Sequence, residues 1–430
     1  MSVRHLDALF QPRAVAVVGA SRRPQSVGAV VMRNLLRGGF SGPILPVNPE
    51  AEAVEGVLAW RRVADLPVAP ELGVVCTPPA SVPGVVEELA EAGARAVVVL
   101  TAGLEPARGS REPDHAKVLG RVARRRGLRV LGPNCVGVLV PGSGLNASFS
   151  HVDALPGRIA LVAQSGAVCT AALDWARSRD IGFSKIVSLG NSLDIDVGDC
   201  LDYLATDPET TSILLYLESL RDAREFLSAG RAASRAKPVI VVKAGRAPAA
   251  ARAAASHTGA LAGSDAVFDA AFRRAGMLRV GRIEELFDAV ETLARSRPLV
   301  GEQVAVVGNA GGPGVLAVDA LMAGGGHLAE LSDATLERLD AVLPPMWTRA
   351  NPVDLVGDAT GSRYRAALEI LLGASEVDAL LVIHAPTAIA EGEDAARATA
   401  EAAQAGRRRI PVLASWLGSA HAEPARQSLR

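Results

Sequence analysis

The stretch AVAVVGASRRPQSVGAVVMRNLL (Ala14–Leu36) decides the fold class of this chain. Its first residues form a short apolar run of strand length, and Gly19 permits the tight turn that ends this run. The residues from Ser26 or Val27 onward predict a helix. A buried strand followed directly by a helix is the repeating unit of parallel sheets that are covered on both faces.

The same alternation of apolar runs and helix-length stretches recurs along the whole chain of 430 residues. Further strand-length runs lie in LGVVCTPP, ARAVVVLTAG, LRVLGPN, RIALVAQSG, ILLYLES, PVIVVKAG, VAVVGNAGG, ALLVIHAP and IPVLASW. This pattern predicts an α/β protein with doubly wound sheets. Turn-rich linkers at 141–157 and 294–303 divide it into predicted domains at 1–147, 148–297 and 298–430.

The end of the third predicted domain differs from the other two. Only LGSAHAEPARQSLR follows IPVLASW, where a parallel sheet normally continues through a further helix and strand. We therefore expect this domain to be truncated, and the chain to be a fragment of a longer protein.

Composition excludes several classes of function. The formal net charge is −1, so no basic excess attracts nucleic acid or an anionic membrane surface, and aromatic residues make up only 3%. The N-terminal stretch does not have the pattern of a signal peptide, and the longest apolar runs are too short for a membrane span. Four dispersed cysteines without CxxC spacing indicate unpaired thiols in a reducing compartment. We expect a cytoplasmic protein.

The turn after the first strand is a candidate phosphate site. Gly19, Ser21 and Ser26, together with the free N–H groups of the helix start, can hold an anion. The spacing GAS…SVG departs from GxGxxG, so it only weakly indicates a dinucleotide. Asn48 and a proline stand where an NAD enzyme presents an acid to the ribose.

Polar residues also follow the later strands of the first domain. Thr77 and Pro78 follow one strand, Thr101 follows the next, and Asn134 follows a third. Open α/β sheets bind ligands at the carboxyl ends of their strands. The pattern favours a binding site for an extended, phosphate-bearing ligand other than NAD. The alternative is that these residues only form the turns between strands and helices.

The second domain carries the candidate chemistry. Ser165 and Gly166 open a helix and form a second candidate anion site. Glu218 follows an apolar strand, where a carboxylate is well placed to orient an imidazole. His257 lies among small residues in AAASHTGALAGSD, and Gly263 and Ser264 precede another predicted helix. This combination indicates nucleophilic catalysis in which the imidazole carries a phosphoryl group.

An acidic cluster near the same edge leaves two interpretations open. Asp194, Asp196 and Asp199 follow the residues LGN. They fit a solvated loop or a helix cap as well as they fit a metal or phosphate site.

The set of motifs VVGAS…SVG, VNP, CTPP, LGPNCVG, VAQSG, LGN, YLES and SHTGALAGSD resembles the NDP-forming acyl-CoA synthetase superfamily. The superfamily includes the alpha subunit of succinyl-CoA synthetase. The likeness is greatest to ADP-forming acetate–CoA ligase alpha subunits, and to the equivalent part of fused CoA ligase/protein acetyltransferase chains. The motifs span about residues 10–270, and NPVDL (Asn351–Leu355) resembles the third domain of the family.

This resemblance implies a CoA-binding Rossmann-like domain followed by two flavodoxin-like domains. It implies that the first domain binds coenzyme A, with Ser21 and neighbouring groups of its turn, Gly19 and Ser26 among them, at the phosphates. Asn48, Thr77, Pro78 and Thr101 would line the nucleotide and pantetheine path, and Asn134 would lie near the thiol. It also implies that His257 is a phosphohistidine, that Glu218 orients it, and that the Ser165–Gly166 helix start holds phosphate. The implied reaction is acyl-CoA + phosphate + ADP ⇌ carboxylic acid + CoA + ATP, through an acyl phosphate.

The family uses an ATP-grasp domain for the nucleotide, and no such segment or Walker A motif is recognisable in this sequence. The resemblance therefore implies a partner, either an ATP-grasp beta subunit or a fused C-terminal domain, that binds ADP or ATP with Mg²⁺. An acetyltransferase domain in the full chain is a further expectation. The alternatives are a non-catalytic CoA-sensing module that regulates an acetyltransferase, and an unrelated Rossmann oxidoreductase. The phosphohistidine loop disfavours the first, and the GAS turn disfavours the second.

Overall fold

The short β-branched runs form three larger sheets, two parallel and one mixed, in the computed structural model, which describes residues 3–106, 112–247, 249–250, 264–297, 299–418 and 422–429. By its contacts the chain divides into two compact units, Met1–Ala294 and Arg295–Arg430. Apart from short 3₁₀ turns, the described helices are Asp7–Phe10, Val27–Gly38, Val82–Glu91, His115–Arg126, Gly166–Arg177, Val197–Thr206, Ala223–Ala236, Asp265–Ala275, Ile283–Arg295, Gly311–Ala323, Asp333–Asp340, Gly361–Gly373, Gly392–Ala405 and Glu423–Leu429.

The first sheet is fully parallel and has the strand order β2-β1-β5-β6-β7. Its strands are β1 (Val15–Val18), β2 (Ile44–Val47), β5 (Leu72–Val75), β6 (Ala96–Val99) and β7 (Arg129–Leu131), with a small hairpin of β3 (Ala53–Val54) and β4 (Val57–Leu58) beside it. The direction of strand addition reverses between β1 and β5, and ligands bind at such a switch point.

The second sheet has seven strands in the order β14-β13-β12-β10-β11-β8-β9. They are β8 (Gly137–Val140), β9 (Leu145–Ser148), β10 (Leu155–Ala163), β11 (Gly182–Ser188), β12 (Ser212–Leu217), β13 (Val239–Lys243) and β14 (Leu278–Val280). β8 and β9 pair antiparallel at one edge, and the remaining strands run parallel. Here the switch point lies between β10 and β12.

The hairpin of β8 and β9 lies in the predicted first domain except for its last residue, Ser148, but it completes the second sheet. One buried apolar cluster accordingly contains residues of both regions, among them Met32, Leu145 and Val187. The Asn34 side chain in the helix Val27–Gly38 also donates to the carbonyls of Ser148 (2.9 Å) and Ser150 (2.8 Å). The division at 147/148 and 297/298 stays a prediction, since shared packing joins the first two regions.

The third sheet lies in the unit Arg295–Arg430 and has the order β16-β15-β18-β19, with β17 paired to β15. Its strands are β15 (Gln303–Gly308), β16 (His327–Leu328), β17 (Val353–Asp354), β18 (Ala379–His384) and β19 (Val412–Trp416). All its pairings are parallel. The predicted α/β class with doubly wound sheets is confirmed.

Glu376 stabilises the start of the helix Asp333–Asp340. Its carboxylate accepts hydrogen bonds from the Ser332 N–H (3.0 Å) and the Thr335 hydroxyl (2.7 Å), while Ser332 caps the helix. Burial acts to raise the pKa of Glu376, but these hydrogen bonds outweigh it and lower the pKa to about 2.

We expect Glu376→Gln to destabilise this helix by about 1 kcal/mol at pH 7. The pKa is lower in the folded state, so the carboxylate stabilises the fold above pH 4.5 and loses its effect as the pH falls towards 2. Amide hydrogen exchange of the helix should therefore separate wild type and variant at pH 7 and not near pH 2. A difference that is the same at both pH values would contradict the prediction.

Candidate functional site

The first switch point is a crowded turn that only glycine can form. Gly19 follows β1 with φ +88°, and an added Cβ would lie 3.0 Å from the backbone of Cys76. Gly28 in the next helix is closer still, since its Cβ would lie 2.0 Å from the Gly19 carbonyl oxygen. These two glycines bring the helix start against the turn, where its N–H groups can face an anion.

The polar side chains of this turn mostly hold the turn itself. The Ser21 hydroxyl accepts from the Arg23 N–H (3.1 Å). The Ser26 hydroxyl caps the helix through the Ala29 N–H (3.4 Å) and donates to the Arg23 carbonyl (2.8 Å). Asn48, beyond β2, donates to the Ala20 carbonyl (2.6 Å) and accepts from two N–H groups of its own loop. Ser26 and Asn48 thus act first as scaffold.

The predicted residues of the later strands come together at the same edge. The Thr101 hydroxyl donates to the Thr77 carbonyl (2.7 Å), and the Asn134 N–H donates to the Thr101 carbonyl (3.1 Å). Pro78 starts the short turn that follows Thr77. The Thr77 Oγ1 is buried without a hydrogen-bond partner among the described residues, which makes it a polar group available at a ligand edge. Asn134 is exposed and has φ +59°.

The second switch point joins Glu218 to the start of the helix Gly166–Arg177. The Gln164 Oε1 accepts from the N–H groups of Glu218 (2.5 Å) and Ser219 (3.0 Å), and its Nε2 donates to the Ser219 carbonyl (3.0 Å). Gln164 therefore fixes the backbone from which the Glu218 carboxylate projects at the end of β12. Ser165 occupies the N-cap position, as expected, but its side chain makes no capping hydrogen bond.

The helix start at Ser165 is consequently open to an external acceptor. An added Cβ on Gly166 would lie 2.5 Å from the Val136 side chain, so this position excludes larger residues. Two features thus lie together at the ends of β10 and β12. One is Glu218, whose backbone N–H is bound by the Gln164 side chain, and the other is a set of helix N–H groups that their own N-cap side chain does not satisfy.

A further helix start and a buried cation lie along this edge. Ser264 is the N-cap of the helix Asp265–Ala275, without a side-chain capping bond. Lys243, at the end of β13, is 4% exposed and lies 4.6 Å from the centre of the Phe268 ring. Burial lowers the pKa of Lys243, and the nearby Asp265 carboxylate opposes this shift. His257 and Gly263, both predicted site residues, lie outside the described residues.

The acidic cluster forms structural contacts. Asp196 and Asp199 form a capping box at the helix Val197–Thr206. Arg129 binds Asp194 (2.9 Å) and Asp199 (2.8 Å). Burial raises the pKa of Asp199 to about 6, although Arg129 acts to lower it. The helix-cap interpretation of these residues accounts for the contacts, and a ligand is not needed to explain them.

The third sheet repeats the amide arrangement of the second. The Asn309 side chain donates to the Ala385 carbonyl (2.9 Å) and accepts from its N–H (2.8 Å), across the switch point between β15 and β18. A cleft of about 280 Å³ lies beside it, lined by Gly308, Gly311, Thr348, Asp354 and neighbouring residues. Asn351 of NPVDL bonds the Val306 N–H and the Val304 and Ala329 carbonyls, so its role is structural.

Sequence reasoning missed Gln164, Asn309 and Arg221. Gln164 and Asn309 follow an apolar strand directly and precede a small-residue helix start, and this position was the available signal. Arg221 donates to the carbonyls of Ser192 (2.7 Å) and two following residues. No local pattern marks it, because its partners lie far away in the sequence.

Family models match almost the whole chain. They are a CoA binding domain at residues 13–141, a succinyl-CoA ligase like flavodoxin domain at 156–293, and a ligase-CoA domain at 304–430. Among the described residues no helix is long and apolar enough to cross a membrane.

Similar proteins carry names that agree with these models. The alpha subunit of acetate–CoA ligase [ADP-forming] I from Pyrococcus furiosus is 37% identical, over 98% of this chain and 91% of its own length. The acetate–CoA ligase [ADP-forming] I of Archaeoglobus fulgidus is 40% identical over 89% of this chain and 55% of its own, longer chain. The dinucleotide forming acetyl-coenzyme A synthetase 1 of Ca. Korarchaeum cryptofilum, solved with phosphate and ADP, has a TM-score of 0.92 at 36% identity and covers 98% of this chain and 90% of its own.

Proposed function

This chain belongs to the NDP-forming acyl-CoA synthetase superfamily, and from that premise we propose that it is the alpha portion of an ADP-forming acid–thiol ligase. It interconverts acyl-CoA, phosphate and ADP with carboxylic acid, CoA and ATP. The observation that carries this proposal is the second switch point, where Gln164 holds Glu218 beside an uncapped helix start.

The proposed reaction consists of one acyl transfer followed by two phosphoryl transfers. A phosphate oxygen attacks the thioester carbon, the C–S bond breaks, and CoA leaves as a thiolate that takes up a proton. The imidazole of His257 then attacks the phosphorus of the acyl phosphate, a P–N bond replaces the P–O bond, and the carboxylate leaves. ADP finally accepts the phosphoryl group on the partner and becomes ATP. No redox change occurs.

The residues of the first switch point support coenzyme A as the substrate of the first domain. The helix start beside Gly19 offers N–H groups to its phosphates, and Ser21 lies in the same turn. Thr77, Pro78 and Thr101 line the edge that leads to Asn134, which we assign to the thiol end. The Thr77 hydroxyl has no other partner among the described residues and is a ready donor for this ligand.

The second and third helix starts support a role in holding phosphate. A phosphorylated imidazole is strongly anionic, and helix N-termini offset such charge without the desolvation cost of a second buried cation. Ser165 and Gly166 begin one such helix, and Gly263 and Ser264 lead into the other. Glu218 orients His257 by accepting a hydrogen bond from the N–H of one ring nitrogen, which leaves the other nitrogen free to attack.

A partner completes the reaction. The alpha subunit named among the relatives implies a beta subunit, and other relatives are longer single chains. We assign ADP and ATP, with Mg²⁺, to an ATP-grasp domain of that partner or of a further segment. A fused acetyltransferase domain remains a prediction.

The proposal is tested by incubating the full chain with acetyl-CoA and radiolabelled phosphate, without nucleotide. We expect a protein-bound phosphoryl group that is stable to base and labile to acid, as a phosphohistidine is. Its formation should require acetyl-CoA and should release free thiol. CoA binding without any protein-bound label would overturn the ligase proposal and favour the CoA-sensing alternative.

A further inference from the structure

The loop after β11, residues 190–194, packs directly on the turn that carries Asn134. The Asn191 N–H donates to the Pro133 carbonyl (2.9 Å), and the Leu193 N–H donates to the Gly132 carbonyl (2.9 Å). The Asn134 Nδ2 donates to the Asn191 Oδ1 (3.2 Å). Gly190, with φ +56°, permits this contact, because an added Cβ would lie 2.4 Å from the carbonyl oxygens of Pro133 and Asn134. The position of Asn134 therefore depends on the position of this loop.

The conformation of the loop is not one that its own residues stabilise. Ser192 has φ +51°, in the region that side chains rarely adopt. Its hydroxyl is buried and has no hydrogen-bond partner among the described residues. Residues held in this way persist only where the surrounding structure fixes them.

Two arginines supply that external support. The Arg129 Nε and the Val130 N–H bind the Asp194 carboxylate at 2.9 and 2.8 Å, which anchors the end of the loop to β7. From the other side, the Arg221 Nη1 donates to the carbonyls of Ser192 (2.7 Å), Leu193 and Asp194 (3.4 Å). A guanidinium beside three converging carbonyl dipoles is a favourable, charge-assisted contact.

Arg221 also belongs to the segment of the proposed orienting acid. It lies three residues after Glu218, and the N–H groups of Glu218 and Ser219 are held by Gln164. Hydrogen bonds thus join Gln164 to the backbone of residues 218 and 219, the chain continues to Arg221, and further hydrogen bonds join Arg221 to the loop and the loop to Asn134. All of these residues lie in the unit Met1–Ala294.

We propose that Arg221 is a positioning residue for the CoA-dependent step, which holds the 190–194 loop so that Asn134 faces the thiol end of the substrate. This inference rests on the proposed function. It predicts that Arg221 affects the conversion of acyl-CoA to acyl phosphate and leaves the transfer of phosphate to His257 nearly unchanged.

The two steps can be measured separately on the full chain. Labelled acetyl phosphate phosphorylates His257 directly, whereas acetyl-CoA with labelled phosphate requires both steps. We expect Arg221→Met to raise the KM for acetyl-CoA about tenfold and to change labelling by acetyl phosphate less than about twofold. Arg221→Lys should recover only part of the loss. The lysine keeps the positive charge, but its ammonium lacks the planar set of donors with which the guanidinium faces three carbonyls.

Arg224→Met serves as the matched control, since Arg224 is exposed shortly after Arg221 and, among the described residues, its side chain makes no hydrogen bond or ion pair with the loop. Calorimetry of CoA binding to each variant gives a readout that does not depend on ligase activity. If wild type binds CoA but is never phosphorylated, the proposed function is refuted. The CoA affinities of the variants then still test whether Arg221 positions the CoA site. An unchanged KM and CoA affinity in Arg221→Met, or an equal loss with both phosphate donors, would overturn the inference.

Discussion

Replacing His257 with asparagine is expected to abolish the protein-bound phosphoryl group and to lower the complete reaction by on the order of 10⁴-fold or more, as removal of a nucleophile does. Asparagine keeps a polar side chain of similar reach but has no nitrogen that can attack phosphorus. The measurement is labelling by acetyl phosphate, together with ATP formation in the presence of the nucleotide-binding partner.

Binding of CoA should be unchanged in the His257→Asn variant, because the proposed CoA residues follow the strands of the first sheet. His151→Asn is the matched control, since the His151 side chain is 57% exposed and its Nε2 lies 3.8 Å from the Asp174 carboxylate, away from the proposed site residues in sequence. This control should be labelled like wild type. Persistent base-stable label in His257→Asn would show that another residue accepts the phosphoryl group.

Glu218→Gln is expected to slow phosphorylation of His257 by on the order of 10²-fold. The amide keeps the size of the side chain and the hydrogen bond between the Glu218 N–H and Gln164. However, it removes the negative charge that fixes the imidazole tautomer and stabilises the ring as it becomes positive during attack. Single-turnover labelling by acetyl phosphate measures this step without CoA release.

The loss in Glu218→Gln should appear in the rate of labelling, with a CoA affinity equal to that of wild type. Glu209→Gln is the control, because Glu209 is exposed in the loop that precedes β12, the strand that Glu218 follows. A Glu218→Gln enzyme that is phosphorylated at the wild-type rate would remove Glu218 from the mechanism and leave its strand-end position as a structural feature only.

Much of the fold and of the candidate site was predictable from local sequence. The apolar runs predicted the strands, Gly19 predicted the first turn, and Ser26 predicted the N-cap of the helix Val27–Gly38. The motif set led to the family that the comparisons confirm. These features depend on a residue's own backbone freedom and on periodic burial, which short segments encode.

The strand ends predicted to bind ligands also lie together, because parallel strands present their carboxyl ends at one edge. The hydrogen-bond partners of individual side chains were harder to predict from the sequence. Asn48 and Ser26 bond the backbone of their own turn, and the hydroxyl of Ser165 does not cap its helix. Which atom a side chain faces depends on neighbours that the local sequence does not contain.

The sequence by itself determined the α/β class, the glycine turns, the helix starts and the family. Only the tertiary structure decided that β8 and β9 complete the second sheet, that Gln164 holds Glu218 from 54 residues away, and that Arg221 supports the loop beneath Asn134. The physical reason is that burial and turn geometry are local, whereas the order of strands in a sheet decides which distant ends meet. The proposed chemistry depends on the contacts between these strand ends.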